Sequence, residues 1–582
     1  MISTVLDFFG RLLGLFRLAG PIFEKELRVS SRRKRNYFLR FAYVILLTAF
    51  VAYAWIFTTA LGRSGSPSFQ VSRMPEVAKH IVTTVVWFQF VTAQLIAVVM
   101  LSSAISDEIQ QRTLGVLMTT PISSFQIVAG KLFSKLLQLV LLLAISMPLL
   151  AIVRVFGGVP WDYVVLSLCV TFTAAIFTGS VSLLFSTYNR KTHAVIVRAS
   201  SVCFLFYIGP SLIVGLLEFA YDVRIVSGST LSYINPFIIM GVATANMLSS
   251  SAAGLAQSWS LHCAIMAGIS ILLLALTTMC VRRVGLRQAT GQAGIFSSRK
   301  ERRAANARRR AKPGPAAISG RIRSVKGPPI VWKEMRTMSV RVGRFMPILS
   351  AVLVVLALAA AYGCFAYMDY LANKGVQTGF ILVYFFFALL RTATSAATSI
   401  TSEKEARTWP TLLITTLTER QIAVGKILGS CLAGWPFWLL LTAHVVVFGF
   451  ARCIPAAAVL PLAALIVSSA ILVSSVGVFF SSCFKRSSTS AFVNLILFLW
   501  FALPICQPLP ASPLLAAVII LAVTGGWQGI SDVPFRAASG WGAWLGTFLI
   551  SGLALIVLVA IYLSLAFAAY AIAVTNIRRR SF

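Results

Sequence analysis

The chain consists mainly of long apolar runs separated by short polar segments. A helix needs roughly 20 predominantly apolar residues to cross about 30 Å of hydrocarbon. Twelve runs of this kind occur, at residues 41–61, 81–105, 132–153, 162–186, 195–218, 261–281, 345–367, 378–400, 427–451, 455–482, 489–509 and 546–574. The pattern predicts an all-α polytopic membrane protein of about twelve transmembrane helices.

Basic residues concentrate in segments that alternate with pairs of these runs. Most of the Lys and Arg residues lie in segments 1–40, 187–198, 282–344, 483–488 and 575–582. Continuous basic runs occur at Arg32–Arg35, Arg308–Arg310 and Arg578–Arg580. Loops rich in Lys and Arg stay on the cytoplasmic side of a bilayer. We therefore expect a multi-pass protein of the inner (plasma) membrane with both termini in the cytoplasm.

Composition narrows the class of protein further. Hydrophobic residues make up 58% and charged residues 12% of the chain, against about 25% charged residues in an average soluble domain. This excludes a soluble enzyme as the bulk of the chain. The net charge of +35 is compatible with nucleic-acid binding, but its clustering beside apolar runs favours attraction to anionic lipid. Nucleic acid is therefore not an expected partner, and the nine scattered cysteines, without a C-x-x-C pair, predict neither a disulfide framework nor a metal site.

Two segments outside the apolar runs have patterns of their own. At the start of residues 1–40, apolar side chains from Ile2 to Phe16 are spaced three and four positions apart, and Asp7, Arg11 and Arg17 interrupt the apolar core that a signal peptide needs. They predict an amphipathic helix in the membrane interface. Residues 291–327 are rich in Gly, Ala, Pro, Ser and Arg, which is typical of a flexible linker.

The two halves of the chain repeat each other. At a shift of 295 positions, nine residues are identical without a gap: Glu108, Arg112, Thr113, Leu117, Thr120, Gln126, Ile127, Gly130 and Lys131 match Glu403, Arg407, Thr408, Leu412, Thr415, Gln421, Ile422, Gly425 and Lys426. PIFEKELR from Pro21 matches PIVWKEMR from Pro329, and LFSTYNRKTHA weakly matches FFSSCFKRSSTSA. We expect two parallel six-helix units, 41–281 and 345–574, joined by a basic linker at 282–344 and followed by a tail at 575–582.

The strongest repeated block lies between the second and third spans of each half. Glu108 and Arg112 stand four apart, as do Glu403 and Arg407, which suits an i,i+4 pair on a helix. One interpretation is an ion pair that only caps a helix at the interface. The other is a rigid element that carries force from a motor to the spans, and it alone explains why the whole loop is present twice.

These motifs, in this order, resemble the type-2 class of ATP-binding-cassette (ABC) exporter permeases. The resemblance rests on Lys-Glu-Leu-Arg at 25–28, on the E…RT…TP…QI…GK loop from Glu108 to Lys131, and on the Phe-Ser loops after the fourth spans. It implies that residues 1–40, and a second segment within the linker, are connecting helices, and that the repeated loops are coupling helices that dock on an ATPase. The coupling residues it implies are Glu108, Arg112, Thr113, Gln126, Lys131, Glu403, Arg407, Thr408, Gln421 and Lys426, and the connecting-helix residues are Lys25, Glu26, Arg28, Lys333, Glu334 and Arg336.

The resemblance also implies partners and a mechanism. Two separate ABC ATPase subunits would bind ATP and magnesium, and their closure would drive alternating access to a cavity lined by spans two and five of each half. Export is the favoured direction, and the apolar spans suit a lipidic, amphipathic or peptide cargo.

The second half departs from this pattern in three places. Trp409-Pro410 replaces Leu114-Gly115, and Thr416 or Leu417 stands where Pro121 does. The first half carries Leu-Ser-Tyr-Ile-Asn-Pro at 231–236, similar to the outer re-entrant segment of the family, whereas the second offers a Pro-rich stretch at 504–513. We therefore expect unequal halves.

Motifs for chemistry by the chain itself are missing from the sequence. No G-x-x-x-x-G-K-[ST] motif occurs, so a partner is expected to hydrolyse ATP and the chain is not expected to be an enzyme. An ion-coupled transporter usually needs acidic residues or His within its spans. The candidates are sparse, namely Glu218 near an outer end, Arg391 in a span, and His193 and His444, which are isolated in the sequence. Such a transporter and a non-catalytic membrane scaffold remain the alternatives, and for Arg391 snorkelling and a functional role are both open.

Overall fold

The structure is a computed structural model of the chain. Apart from scattered positions between 37 and 52 and position 369, the residues that the structure describes are 20–31, 67–111, 113–120, 122–154, 158–189, 192–221, 233–249, 259–289, 327–339, 345–367, 371–451, 453–454, 456–502 and 541–579.

All regular secondary structure in these residues is helical, which confirms the all-α class. Seven of the described helices are long and apolar enough to cross a membrane, and a bent pair of helices raises the number to eight. The chain is therefore a polytopic membrane protein. The number of twelve spans stays a prediction.

The chain folds as two compact units. The first unit comprises Met1–Arg321 with Val342–Leu358, and the second comprises Ile322–Arg341 with Ala359–Phe582.

In the first unit, long helices coincide with most of the predicted spans. The helices of the described residues are α1 Gly20–Ser31, α2 Pro67–Ser102, α3 Ser106–Gln111, α4 Leu114–Leu117, α5 Ser124–Arg154, α6 Trp161–Tyr188, α7 Thr192–Tyr221, α8 Pro236–Ser249 and α9 Trp259–Ala289. Spans two to six correspond to α2, α5, α6, α7 and α9. The first predicted span lies largely outside the described residues.

The predicted re-entrant segment of the first unit leads into the short helix α8. The Asn235 side chain accepts a hydrogen bond from the Phe237 N–H at 2.9 Å and donates one to the Tyr207 carbonyl at 2.7 Å. It thereby starts α8 and ties it to α7. With 14 residues, α8 is shorter than the roughly 20 residues that a span needs, and its re-entrant course stays a prediction.

The second unit follows the same order of elements. Its described helices are α10 Pro329–Ser339, α11 Phe345–Tyr367, α12 Lys374–Thr398, α13 Thr401–Glu405, α14 Trp409–Leu413, α15 Glu419–Ala433, α16 Trp435–Phe450, α17 Ala456–Cys483, α18 Ser487–Ala502 and α19 Trp541–Arg579. The residues of α11 up to Leu358 group with the first unit.

The third span of the second unit differs from the prediction of a single helix over 427–451. It consists of α15 and α16, which meet at a bend of 58°. Pro436 has no N–H to bond the carbonyl four residues earlier, which breaks the helical ladder. Gly434 allows a close contact at the bend, because a Cβ there would lie 2.8 Å from Trp438 Nε1 and 3.0 Å from Thr392 Oγ1. The first-unit counterpart, α5, is one helix of 31 residues.

Several predicted features lie outside the described residues, and the predictions made for them are untested. They are residues 1–19 of the predicted amphipathic segment, residues 290–326 of the predicted linker, the Pro-rich stretch at 504–513, the last three residues, and the single positions Arg112 and Pro121.

Candidate functional site

The two repeated loops contain short helices and pack on buried hydrophobic residues. The first loop (residues 103–123) contains α3 and α4, and the second loop (residues 399–418) contains α13 and α14. Buried residues at equivalent positions lie beneath them: Leu101, Ile105, Leu114, Val128, Leu132 and Leu183 in the first unit, and Ala396, Ile400, Trp409, Ala423, Ile427 and Val478 in the second. Residues related by the shift of 295 positions therefore occupy equivalent places in the two hydrophobic cores.

Each loop begins where the preceding helix ends. At this point the hydroxyl of a serine from the fourth span binds two backbone N–H groups of the loop. Ser186 Oγ accepts hydrogen bonds from the N–H groups of Ile105 and Ser106 at 3.1 and 2.9 Å. Ser481 Oγ accepts those of Ile400 and Thr401 at 2.9 and 3.0 Å. Helix ends leave N–H groups without intrahelical partners, and these serines satisfy them. This contact gives the weakly matching Phe-Ser blocks a structural role.

The predicted i,i+4 pair of Glu403 and Arg407 is wrong. Helix α13 ends at Glu405, and Arg407 is exposed with a φ of 56°, in the left-handed region. The Thr408 N–H donates to the Glu403 carbonyl at 3.0 Å, which closes the helix end. The Thr113 N–H bonds the Glu108 carbonyl at 3.0 Å in the same way. Arg112 itself is outside the described residues.

Glu403 instead belongs to a buried ion network of the second unit. Lys426 Nζ binds the Glu403 carboxylate, Glu334 Oε1 at 2.6 Å and the Ser399 carbonyl at 3.0 Å. Lys333 Nζ donates to Glu403 Oε1 at 2.9 Å. Burial by itself would raise the pKa of the Glu403 carboxyl, but the charges and hydrogen bonds of Lys426 and Lys333 outweigh burial and lower that pKa. The network joins α10, the second loop and α15.

The first unit contains the corresponding network. Lys131 Nζ lies 3.1 Å from Glu108 Oε1 and 3.8 Å from Glu26 Oε1. Lys135 Nζ lies 3.8 Å from Glu26 Oε2. The Thr113 hydroxyl also donates to the Glu108 carboxylate. Two lysines and two glutamates thus join α1, the first loop and α5, with equivalent residues at three of the four positions.

The glycine of the second Gly-Lys pair, Gly425, allows close packing of two helices. In the second unit, a Cβ on Gly425 would come within 2.8 Å of the Ile330 side chain, and a Cβ on Gly429 within 3.0 Å of Glu334. Helix α10 therefore lies directly against α15, which brings Glu334 within reach of Lys426.

The glutamines of both blocks cap the helices that follow the loops. The Ser123 N–H donates to Gln126 Oε1 at 3.0 Å, and the Gln126 N–H donates to Ser123 Oγ at 3.2 Å. Thr418 and Gln421 make the same reciprocal pair at 3.0 and 3.3 Å. These are capping boxes, which fix the start of α5 and of α15.

Each loop presents an apolar side chain to its surroundings, although its core is buried. Val116 on α4 is 66% exposed, and Ile414, directly after α14, is 85% exposed. Leu114 and Trp409, at equivalent positions, anchor the same short helices in the core. Each loop is therefore anchored in a buried core and has an exposed apolar side chain, Val116 or Ile414, at its tip.

The comparison with known families agrees with the resemblance seen in the sequence. Residues 21–284 match the family described as ABC-2 family transporter protein. This part of the chain, residues 21–284, is therefore similar to ABC-2 transporter domains. A search among curated proteins gave no match to the chain.

The ABC-2 match runs from the start of α1 to the last third of α9 and so contains the whole first network. Domains of this family are membrane permease components of ABC transporters, lack ATPase activity and associate with ABC ATPase subunits. The second unit lies outside the match. Its likeness to the ABC-2 domain rests on the internal repeat and on the equivalent network.

The remaining predicted connecting-helix residues are exposed or have side chains that the structure does not describe. Lys25 is exposed, and Arg28 forms an exposed pair with Glu24 at 2.7 Å. The side chain of Arg336 is not among those described. Sequence reasoning missed Lys135, Ser186, Ser481, Lys404 and Glu405. The serines could have been found, because they lie at the same shift of 295.

Polar groups within the spans are not as isolated as they are in the sequence. His444, in α16, is buried, and its Nδ1 lies 2.7 Å from the Tyr362 hydroxyl. The Tyr362 hydroxyl in turn lies 2.9 Å from the Tyr384 hydroxyl. Phe448 packs on the imidazole at 4.7 Å between ring centroids. Arg391 is half-buried in α12. The side chains of Glu218 and His193 lie outside the description.

Proposed function

We propose that the chain is the membrane-spanning subunit of an ABC exporter, and that the first and second loops are its docking sites for separate ATPase subunits. The observation that carries this proposal is the network of two lysines and two glutamates that occurs in both units. In each unit it joins a loop to the helix before the first span and to the third span.

The physical argument concerns how a load on a loop is transmitted. A surface loop usually moves independently of the elements that it connects. Here the tip of each loop lies above a buried core. The loop glutamates are ion-paired to buried lysines: Glu108 to Lys131, which is 5% exposed, and Glu403 to Lys426, which is 0% exposed. A displacement of the tip therefore moves the third span and the helix before the first span with it.

The tip itself suits a protein partner. An exposed apolar side chain on a rigid support is an anchor of the kind that fills a pocket at an interface. Val116 and Ile414 have this form, whereas Lys131 and Lys426 are buried and support the loop from within. Two tips would accept two ATPase subunits, which would supply the sites for ATP and magnesium.

The direction of transport and the topology follow from the same proposal. ATPase subunits act from the cytoplasm, so both loops and both termini lie on that side, in agreement with the clusters of Arg and Lys. The type-2 resemblance favours export of a lipidic, amphipathic or peptide cargo.

An ion-coupled mechanism is the second candidate, because one observation favours it. The hydrogen-bonded series His444, Tyr362 and Tyr384 is a polar path among apolar helices, and buried polar groups in a membrane are often part of ion pathways.

The test is purification from the native membrane followed by reconstitution. We expect ATPase subunits to co-purify and ATP to drive export. Glu108→Gln combined with Glu403→Gln is expected to reduce export severalfold while the chain still inserts and ATP is still hydrolysed. Glu76→Gln, at an exposed position of α2, is the control and is expected to export normally. Recovery of the chain without an ATPase would contradict the proposal, and a proton-driven flux through the chain alone would favour the second candidate.

A further inference from the structure

Two charged residues of the second loop bind the turn between the fourth and fifth spans. Lys404 Nζ donates to the carbonyls of Ser482 at 2.7 Å, Phe484 at 3.2 Å and Ser481 at 3.4 Å. These carbonyls lie at the C-terminal end of α17. A helix C-terminus carries unpaired carbonyls and partial negative charge, so a cation is favoured there.

The next residue binds the other side of the same turn. Glu405 Oε1 accepts a hydrogen bond from the Ser487 N–H at 2.7 Å, and Glu405 Oε2 accepts one from the Ser487 hydroxyl at 2.8 Å. Ser487 is the first residue of α18, where unpaired N–H groups favour an anion. Hydrogen bonds to charged groups are also stronger than those between neutral groups.

The contacts are reciprocal. Ser481, at the end of α17, accepts the N–H groups of Ile400 and Thr401 from the second loop. The loop therefore caps the turn at two helix ends, and the turn caps the loop in return.

The first unit has different residues at these positions. Ile109 and Gln110 stand where Lys404 and Glu405 stand at the shift of 295. An isoleucine side chain cannot donate a hydrogen bond. The end of α6 is capped instead by Asn189, whose Nδ2 donates to the Phe185 carbonyl at 2.8 Å and whose Oδ1 is bound by Arg198 of α7. In this unit the turn is capped from within the fourth and fifth spans.

We infer that Lys404 and Glu405 are positioning residues that clamp the second loop to the α17–α18 turn, so that the second loop drives the fifth span directly. The inference rests on the proposed docking of an ATPase on the loops. The first loop has the uncharged residues Ile109 and Gln110 at the positions of this clamp. A movement of the docked ATPase is thus transmitted to the fifth span of the second unit more directly than to the fifth span of the first unit.

The clamp can be measured in the whole chain without any partner. Spin labels on non-native amino acids at the exposed positions Thr415 and Arg486 report the distance between the loop and the turn. In the unchanged chain we expect one narrow distance distribution. Lys404→Met with Glu405→Gln is expected to broaden it, whereas Lys404→Arg alone, which keeps the donor, is expected to leave it narrow. An equally narrow distribution in the double variant would overturn the clamp.

The consequence for coupling is measured in the complete complex with its ATPase. We expect the same double variant to keep its ATPase and to hydrolyse ATP, but to export about fivefold less per ATP hydrolysed, which is within the usual range of coupling effects. Lys485→Met, an exposed charge of the same turn, is the matched control and is expected to leave this ratio unchanged. An unchanged ratio in the double variant would overturn the inference.

The two possible failures are distinguishable. Absence of an ATPase from the purified unchanged chain contradicts the proposed function, while the label distances still report on the clamp. An unchanged ratio of export to ATP hydrolysis in the double variant, in a complex that retains its ATPase, contradicts the clamp alone.

Discussion

Lys426 is the residue on which the second network depends. Its ammonium group has no exposed surface and lies between Glu334 and Glu403. Taking charges out of water is costly, and their mutual attraction compensates for this only with good geometry. Such a network adds little net stability by itself, but its loss leaves a buried charge without compensation.

We predict that Lys426→Met lowers the free energy of unfolding of the chain by about 3 to 5 kcal/mol, the usual cost of breaking a buried pair. Glu403 is left buried next to Lys333 alone. Unfolding by SDS in mixed micelles measures the loss. Adding Glu403→Gln is expected to recover part of it, because it removes a buried charge that has lost its buried partner Lys426. A loss in the single variant no larger than that in the double variant would show that the pair is not coupled.

Lys131→Met is the matched change in the first unit, and we expect a smaller loss. The distances from Lys131 to its partners are 3.1 and 3.8 Å, and about a quarter of the side-chain surface of both Glu108 and Glu26 is exposed. Solvent therefore screens these pairs more strongly. The same SDS titration compares the two variants.

Much of each network was predictable from the sequence, but the pairing was not. Comparison of the two halves identified Glu108, Lys131, Glu403 and Lys426, because each pair recurs at one shift. The sequence favoured Arg407 as the partner of Glu403, since it is four positions away. The left-handed Arg407 ends the short helix, and the actual partners lie 23 and 70 positions away, where only tertiary packing brings them together.

The third span shows how the two units differ at the level of an element. In the first unit, α5 continues from the loop into the span as one helix, whereas α15 and α16 meet at 58°. The part held by the network, α15, therefore ends at Ala433, directly before Gly434. The Trp435-Pro436 pair was a visible signal for this break, but the apolar run across it predicts a single span.

We predict that Gly434→Ala destabilises the second unit by about 1 to 3 kcal/mol, as overpacking does. The new Cβ would lie 2.8 Å from Trp438 and 3.0 Å from Thr392. Gly449→Ala, on the same α16, is the control, because its nearest neighbour would be Val459 at 3.7 Å. Thermal unfolding in detergent compares the two. Equal midpoints would mean that the bend is not tightly packed.

At the scale of the whole chain, the repeat is preserved most clearly in and beneath the loops. The nine gap-free identities, the two serines and the six pairs of core positions all lie in or next to them. The apolar runs predicted the all-α membrane class because hydrocarbon requires helices with satisfied backbones. They could not predict the broken span, since the apolar run continues across Trp435-Pro436, and they could not predict the clamp, since it depends on contacts between distant segments.

Photo-cross-linking from the loop tips tests the central claim most directly. A photoreactive amino acid at Val116, or at Ile414, is activated in the native membrane, and the same residue at Ile271, which is 67% exposed on α9, is the control. We predict adducts with ATPase subunits from both loops and none from Ile271. If an ATPase co-purifies but neither loop forms an adduct with it, the loops are not its docking sites.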